Sequence, residues 1–138
     1  MTTVANDFSA ARTNDLAATL LRVTSGGLFL IHGGLKLFVF TPAGTAAYFQ
    51  SLGLPGPVAY LAIALEVLGG LALLAGFKTR IVAILLALDL LGAAWFGHAG
   101  NGFFFSNPNG GWEYPVFWAV VMAAQALLGA GAYSVDNR

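Results

Sequence analysis

The sequence predicts an all-α integral membrane protein, a bundle of four transmembrane helices, and two observations carry this prediction. The first is composition: 58% of the 138 residues are hydrophobic and 9% are charged, whereas soluble domains carry about 25% charged residues. The second is the presence of four apolar runs, each close to the roughly 20 residues that a helix needs to cross the bilayer core. No run shows the strand alternation of a membrane barrel, so helices are the expected spanning elements.

The predicted spans, in chain order, cover residues 16–40, 57–76, 80–98 and 114–133. Asn14 offers an N-cap before the first span, and Pro57 and Pro115 stand near the starts of the second and fourth. Gly76 follows the second span, where glycine commonly ends a helix. The length suits one domain, which we assign to the whole chain, 1–138.

The connections between the spans indicate how the chain is oriented. TPAGTAAYFQSLGLPG, after the first span, predicts a short interfacial helix, and GHAGNGFFFSNPNGGWEYP, before the fourth, is aromatic enough to lie at the interface. Arg12, Lys78, Arg80 and Arg138 fall on one side of the membrane and Lys36 lies near the other. Because basic residues favour the cytoplasmic side, we expect a bacterial cytoplasmic membrane protein with both termini and the FKTR turn in the cytoplasm.

Three absences narrow the function. The formal net charge is zero, so no field for nucleic acid is expected. The chain has no cysteine, which excludes disulfides, thiolate catalysis and iron–sulfur ligation by this polypeptide alone. Neither a nucleotide-binding loop nor a serine triad is present.

Small residues indicate close helix packing. Glycines recur at a separation of seven, which places small faces along one seam of a left-handed crossing. The pairs are Gly26 with Gly33, Gly27 with Gly34, and Gly69 with Gly76.

Five ionisable groups lie within the predicted spans: Arg22, His32, Lys36, Glu66 and Asp89. Such groups are costly in a bilayer and are expected to face the bundle interior and to pair. Two basic and two acidic side chains balance, so two ion pairs could satisfy the bundle. For Arg22 and Asp89 we favour this purely structural role, because an unpaired buried charge would be strongly destabilising.

The outward half of the bundle is the candidate ligand site. His32, Lys36 and Glu66 indicate a polar cavity, which His98 and Glu113 could close from above. Histidine exchanges protons near neutral pH and lysine donates to a carbonyl or an anion. The cluster could therefore bind a quinone head group or relay protons, while the structural alternative for His32 is a hydrogen-bonded packing residue.

The same residue types also occur in metal and haem sites. The two histidines with a glutamate could form an open facial metal site, and His32 with His98 could clamp a haem. No metal-binding spacing such as His-x-x-x-His accompanies them. We therefore expect neither a metal nor a haem.

Several stretches resemble one family of small bacterial membrane proteins. They are LLRVTSGGLFLIHGGLKLF, YFQSLGLPGP, LEVLGGLALLAGFKTR, GGWEYP and GAGAYSVD. In their order and spacing, from Leu20 to Asp136, they resemble the DoxX family of four-helix proteins. The resemblance assigns ten positions to the family's polar and glycine pattern, whereas Asp89 is not part of it; the ten are Arg22, His32, Gly33, Lys36, Glu66, Gly69, Gly70, Arg80, His98 and Glu113.

The resemblance implies the fold more firmly than a reaction, since one fold serves many functions. The family is named for subunits of an archaeal thiosulfate:quinone oxidoreductase, and other members are linked to membrane complexes that handle oxidative stress. The leading hypothesis is a bilayer protein that binds a quinone or other lipophilic molecule as a redox subunit or partner. If it is an enzyme, it would be part of a quinone-linked oxidoreductase.

Two rival functions stay open. One is a non-catalytic assembly protein whose charges stabilise the bundle while its aromatic outer loops dock a protein partner. The other is a transporter or proton channel, which the absence of an inverted repeat disfavours for a monomer. A homo-oligomer is compatible with all three functions.

Overall fold

The structure is a computed structural model that describes residues 2–137, and across them it is helical with no strand. This confirms the predicted all-α class. Within residues 2–137, three helical segments are long and apolar enough to cross a membrane, Arg12–Val39, Pro57–Ala75 and Thr79–Asn101, and a fourth, Glu113–Leu128, is apolar but shorter. The α-helices are α1 (Thr2–Gly34), α2 (Thr41–Ser51), α3 (Pro57–Ala75), α4 (Thr79–Gly92) and α5 (Glu113–Leu128).

Two of the long helices change winding at the same end of the bundle. Helix α1 continues as a π-helix over Leu35–Val39, and α4 continues as a π-helix over Ala93–His98 and a 3₁₀ turn over Ala99–Asn101. Both π segments lie at the end that is predicted to face outward. Because π-helices are rare and often accompany functional sites, this end of the bundle is where a site is expected.

The short helix predicted after the first span is confirmed as α2. Thr41, at its start, has a positive φ of 64°, which turns the chain sharply away from α1. The Thr45 hydroxyl donates to the Lys36 carbonyl at 3.1 Å and to the Thr41 carbonyl at 2.8 Å. These bonds fix α2 to the π segment that ends α1.

The fourth span is shorter than the predicted 114–133. Helix α5 ends at Leu128, because Gly129, Gly131 and Tyr133 adopt positive φ angles of 81°, 73° and 57° that cannot continue a helix. The chain turns back beneath α1, where the Thr19 hydroxyl donates to the Ala132 carbonyl at 2.7 Å. The sequence prediction failed here because apolar composition alone does not mark this turn.

The chain then returns to the turn between α3 and α4. The carboxylate of Asp136 accepts hydrogen bonds from the backbone N–H groups of Lys78, at 2.7 Å, and Thr79, at 3.0 Å, and so caps α4. Burial alone would raise the pKa of Asp136, but the hydrogen bonds from Thr79 and Lys78, together with the positive charge of Arg22, outweigh it and hold the pKa below its ordinary value. Arg138, counted in the orientation argument, lies outside the described residues.

The interior is a compact apolar core surrounded by a lipid-facing surface. Buried Phe29 and Trp118 stack with ring centroids 4.2 Å apart. Leu20, Leu61 and Leu127 are 69%, 66% and 82% exposed. Large side chains exposed all along helices suit contact with lipid, where no hydrophobic cost attaches to them.

The glycine seam is confirmed for one set of positions. A Cβ at Gly26 would lie 2.9 Å from the carbonyl oxygen of Gly70, and one at Gly33 would lie 2.8 Å from a side chain of α3. A Cβ at Gly27 or Gly34 would meet no atom within 4 Å. Helices α1 and α3 therefore pack backbone to backbone on one face, and the second pair of glycines takes no part in it.

Candidate functional site

A cavity of about 890 Å³ lies beneath α2, between α3 and α4. Most of its wall is apolar or aromatic, and it includes Tyr48, Phe49 and Phe96. The charged residues on the wall are Lys36 from the π segment after α1, Glu66 from α3 and Asp89 from α4. One cavity thus joins a lipophilic body to a small ionisable end.

The ionisable end is organised by an ion pair. Lys36 Nζ lies 3.1 Å from Glu66 Oε1 and 2.9 Å from Oε2. Only the contact with Oε1 has hydrogen-bond geometry, and Oε2 is buried with no hydrogen-bond partner. The predicted pairing of these two residues is confirmed, and the ammonium lies close to both carboxylate oxygens.

Asp89 is the residue whose place the sequence did not reveal. We expected it to be a structural charge, and the structure places it on the cavity wall, close enough to Glu66 for the two carboxyls to interact electrostatically. Charge interaction also links Asp89 to Lys36. The sequence does contain a signal for this position. Glu66 and Asp89 each stand near the middle of an apolar run, so their carboxyls are expected at a similar depth in the membrane.

The expected ion pair of Arg22 with Asp89 is wrong. Arg22 is fully buried and its guanidinium donates five hydrogen bonds to backbone carbonyls, all between 2.7 and 3.0 Å. The acceptors lie at the end of α3 and in the segment after α5: Leu73, Leu74, Ala130, Ala132 and Tyr133. Carbonyls at helix ends lack partners within the helix, and these five accept the hydrogen bonds of the guanidinium, whose charge also interacts with that of Asp136.

His32 lies beside the cavity and is not on its wall. Its Nε2 is 3.2 Å from the Tyr114 hydroxyl, and its ring centroid is 5.3 Å from that of Trp118. Trp118 in turn donates from its indole nitrogen to the Ser25 hydroxyl at 3.4 Å. These contacts match the alternative in which His32 is a hydrogen-bonded packing residue between α1 and α5.

His98 and Glu113 were both expected at the cavity entrance, but in the structure only one of them lies on the cavity wall. His98 is on the cavity wall, and its Nδ1 is 2.9 Å from the Gly110 carbonyl oxygen, which ties the end of α4 to the following loop. Glu113 is not on the wall; it begins α5, and its backbone N–H donates to the Phe103 carbonyl at 3.1 Å. The cavity therefore unites Lys36, Glu66 and His98 with Asp89, and omits His32 and Glu113.

The cavity opens sideways, between α3 and α4. Leu61 and Leu88 line it and are nevertheless 66% and 60% exposed on the apolar surface of the bundle. A surface of this kind faces acyl chains in a bilayer. A lipophilic molecule could therefore reach Glu66 directly from the membrane.

Fold and site together define a small helical membrane protein with an ionisable cavity that opens to the bilayer. Within that class the chain belongs to the DoxX family, whose model matches residues 17–99. This confirms the resemblance found in the sequence. No solved structure matches the chain.

Curated relatives are similar over different lengths. "Putative oxidoreductase CatD" of Bacillus subtilis (strain 168) is 42% identical over 79 residues, which is 57% of this chain and 58% of the relative. "Inner membrane protein YphA" of Escherichia coli (strain K12) is 34% identical over 96% of this chain and 95% of its own length. "Inner membrane protein YqjF" of the same organism is 32% identical over 89% of this chain and 92% of its own length.

Proposed function

We propose that this protein binds a small lipophilic molecule with a polar head, of the quinone class, and acts as a redox subunit or redox partner in the membrane. The observation that carries the proposal is the cavity, whose apolar wall ends at the Lys36, Glu66 and Asp89 side chains. Its volume of about 890 Å³ is typical of ligand pockets, which are mostly apolar with a few polar groups that orient the ligand.

The chemistry of the polar end suits a quinone head. A lysine ammonium donates hydrogen bonds to a carbonyl oxygen, and the adjoining carboxyls can supply or accept a proton. Reduction of a quinone to its dihydroxy form takes two electrons and two protons. The chain has no cysteine and so no dithiol of its own; in this proposal a redox partner protein delivers the electrons. The name of the relative from Bacillus subtilis supports such a redox connection.

The proposed setting is the bacterial cytoplasmic membrane, with both termini in the cytoplasm. The names of two relatives and the distribution of basic residues support it. The cysteine-free chain permits a clean test with Phe77→Cys in the FKTR turn and Ser106→Cys in the loop before α5. A maleimide that cannot cross membranes should label Ser106→Cys in intact spheroplasts and Phe77→Cys only after permeabilisation; the opposite pattern would overturn the orientation.

Ligand binding is tested with a short-chain ubiquinone analogue and a variant that fills the cavity. Gly92 lies on the cavity wall with an ordinary helical φ of −61°, and a Cβ there would meet no atom within 4 Å. Gly92→Phe should therefore fold normally while occupying ligand space. We expect saturable binding of the quinone to the parent by calorimetry in nanodiscs, and none to the folded variant. Absent binding in the parent would refute the proposal.

The rival function, non-catalytic assembly, is favoured by the exposed aromatic loop. Phe103, Phe104 and Phe105 are 48%, 61% and 53% exposed, and they could dock a protein partner. Under this alternative Gly92→Phe would leave complex formation intact, whereas a triple Phe→Ser variant of the loop would abolish it. Affinity capture from detergent extracts of the native host, with both variants compared, separates the two functions.

A further inference from the structure

We propose that the Glu66 and Asp89 carboxyls make the cavity selective for ligands that present a hydroxyl group, such as phenols and the dihydroxy, reduced form of a quinone, over matched ligands that can only accept hydrogen bonds. This inference rests on the proposed function, because it assigns the chemical class that the same cavity prefers. It also gives Asp89 a role that the family resemblance does not cover.

The first step is the acceptor side of the wall. Glu66 lies on the cavity wall, and its Oε2 is 2.9 Å from Lys36 Nζ but receives no hydrogen bond of good geometry. A buried acceptor without a well-directed donor is costly. A ligand that donates a hydrogen bond to a carboxyl of this wall supplies such a donor, whereas a ligand with a carbonyl or an ether at the same place does not.

The second step is the neighbouring donor. Lys36 has three N–H bonds, and the contact with Glu66 Oε1 occupies one of them. The ammonium also lies on the cavity wall and its side chain is 22% exposed, so it can donate to a ligand oxygen. A hydroxyl group is the one simple head that accepts from Lys36 and donates to Glu66 through a single oxygen atom.

The third step is the charge balance of the three side chains. Two carboxyls and one ammonium share the cavity wall, and any charge left uncompensated inside a bilayer is costly. A neutral phenol brings a donor to the carboxyls and adds no charge, whereas a phenolate would add a further negative charge beside them.

The test uses two ligands that differ in one hydrogen-bond donor, para-nonylphenol and its methyl ether. Binding to the parent in nanodiscs is measured by calorimetry, and binding to Gly92→Phe is subtracted to remove partition into lipid. We expect the phenol to bind roughly tenfold or more tightly than the ether, the difference that one hydrogen bond to a charged acceptor makes. Equal affinities, or tighter binding of the ether, would overturn the inference.

Two variants locate the selectivity. Glu66→Gln replaces one carboxylate oxygen by an amide nitrogen that donates and removes the negative charge, and it should abolish or reverse the preference for the phenol. Asp89→Asn should reduce the preference while retaining binding, since the ion pair of Lys36 and Glu66 remains. Folding of each variant is checked by thermal melting, and the comparison of the two ligands in the parent stands even if a variant fails to fold.

The outcomes separate this inference from the proposed function. If the quinone and both nonyl ligands fail to bind the parent, the proposed function falls and the inference falls with it. If the quinone binds but phenol and ether do not differ, ligand binding stands and selectivity for a hydroxyl is refuted. A preference for the phenol that persists unchanged in both carboxyl variants would also refute the assignment to Glu66 and Asp89.

Discussion

The replacement Arg22→Lys should destabilise the protein by about 3 kcal/mol while keeping the positive charge. Arg22 donates five hydrogen bonds to carbonyl oxygens, and a lysine ammonium has only three donors. At least two buried carbonyls then lose a charged donor, at about 1.5 kcal/mol for each bond. The loss is a large fraction of the roughly 5–15 kcal/mol by which proteins are typically stable.

The matched control is Arg80→Lys. Within the described residues, Arg80 donates to two carbonyls, those of Ala126 at 2.9 Å and Leu127 at 2.8 Å, and these bonds are exposed. One lysine can satisfy both, so the change in the free energy of unfolding should stay within about 0.5 kcal/mol. Unfolding by titration with a denaturing detergent, followed by circular dichroism, measures both variants. Equal stabilities of Arg22→Lys and Arg80→Lys would refute the role assigned to the five carbonyls.

Three further predictions follow from the same geometry. Lys36→Met should cost about 3 kcal/mol of unfolding free energy because it strands a buried carboxylate, and adding Glu66→Gln should recover part of that loss; strictly additive losses in the double-mutant cycle would contradict the pair. Gly26→Ala should destabilise by about 1–3 kcal/mol through its backbone clash, whereas Gly27→Ala should be neutral or stabilising by about 0.5 kcal/mol, and equal melting temperatures would argue against the seam. Asp136→Asn should cost about 1 kcal/mol near neutral pH. Because the folded pKa lies below the ordinary 3.8, that stabilisation is complete above 3.8 and disappears as the pH falls through the folded pKa, so a difference between parent and variant that persists at lower pH would contradict it.

Much of the fold could be predicted from the sequence because composition and length are direct physical constraints on a membrane protein. The apolar runs locate α1, α3 and α4, and the segment after the first span was correctly expected to be a short helix. The end of the last span was mislocated because the residues that follow Leu128, GAGAY, are small and uncharged, so no charge marks the end of the helix. Their turn depends on backbone conformations at Gly129 and Gly131 that hydropathy does not register.

The sequence predicts part of the site. It shows which ionisable groups lie in the membrane and are too costly to leave unpaired, but it does not show which partner each of them finds. Lys36 and Glu66 pair as expected. Arg22 donates hydrogen bonds to backbone carbonyls in the segment after α5, whose turn the sequence did not predict. Arg22 therefore does not need Asp89 as a partner, and Asp89 lies on the cavity wall. A helix wheel predicts the direction in which His32 points but does not identify the residue that it meets. For this reason the contact of His32 with Tyr114 was not predicted.

The central claim is that the cavity beneath α2 holds a lipophilic ligand, and the most direct measurement is organic extraction and mass spectrometry of the gently purified protein. The parent should carry a near-stoichiometric quinone or related hydroxylated lipophile. The folded Gly92→Phe variant, purified in parallel, should lack it. A parent that carries no lipophile, or one whose bound molecules are the same in amount and kind as those of the variant, would contradict the account.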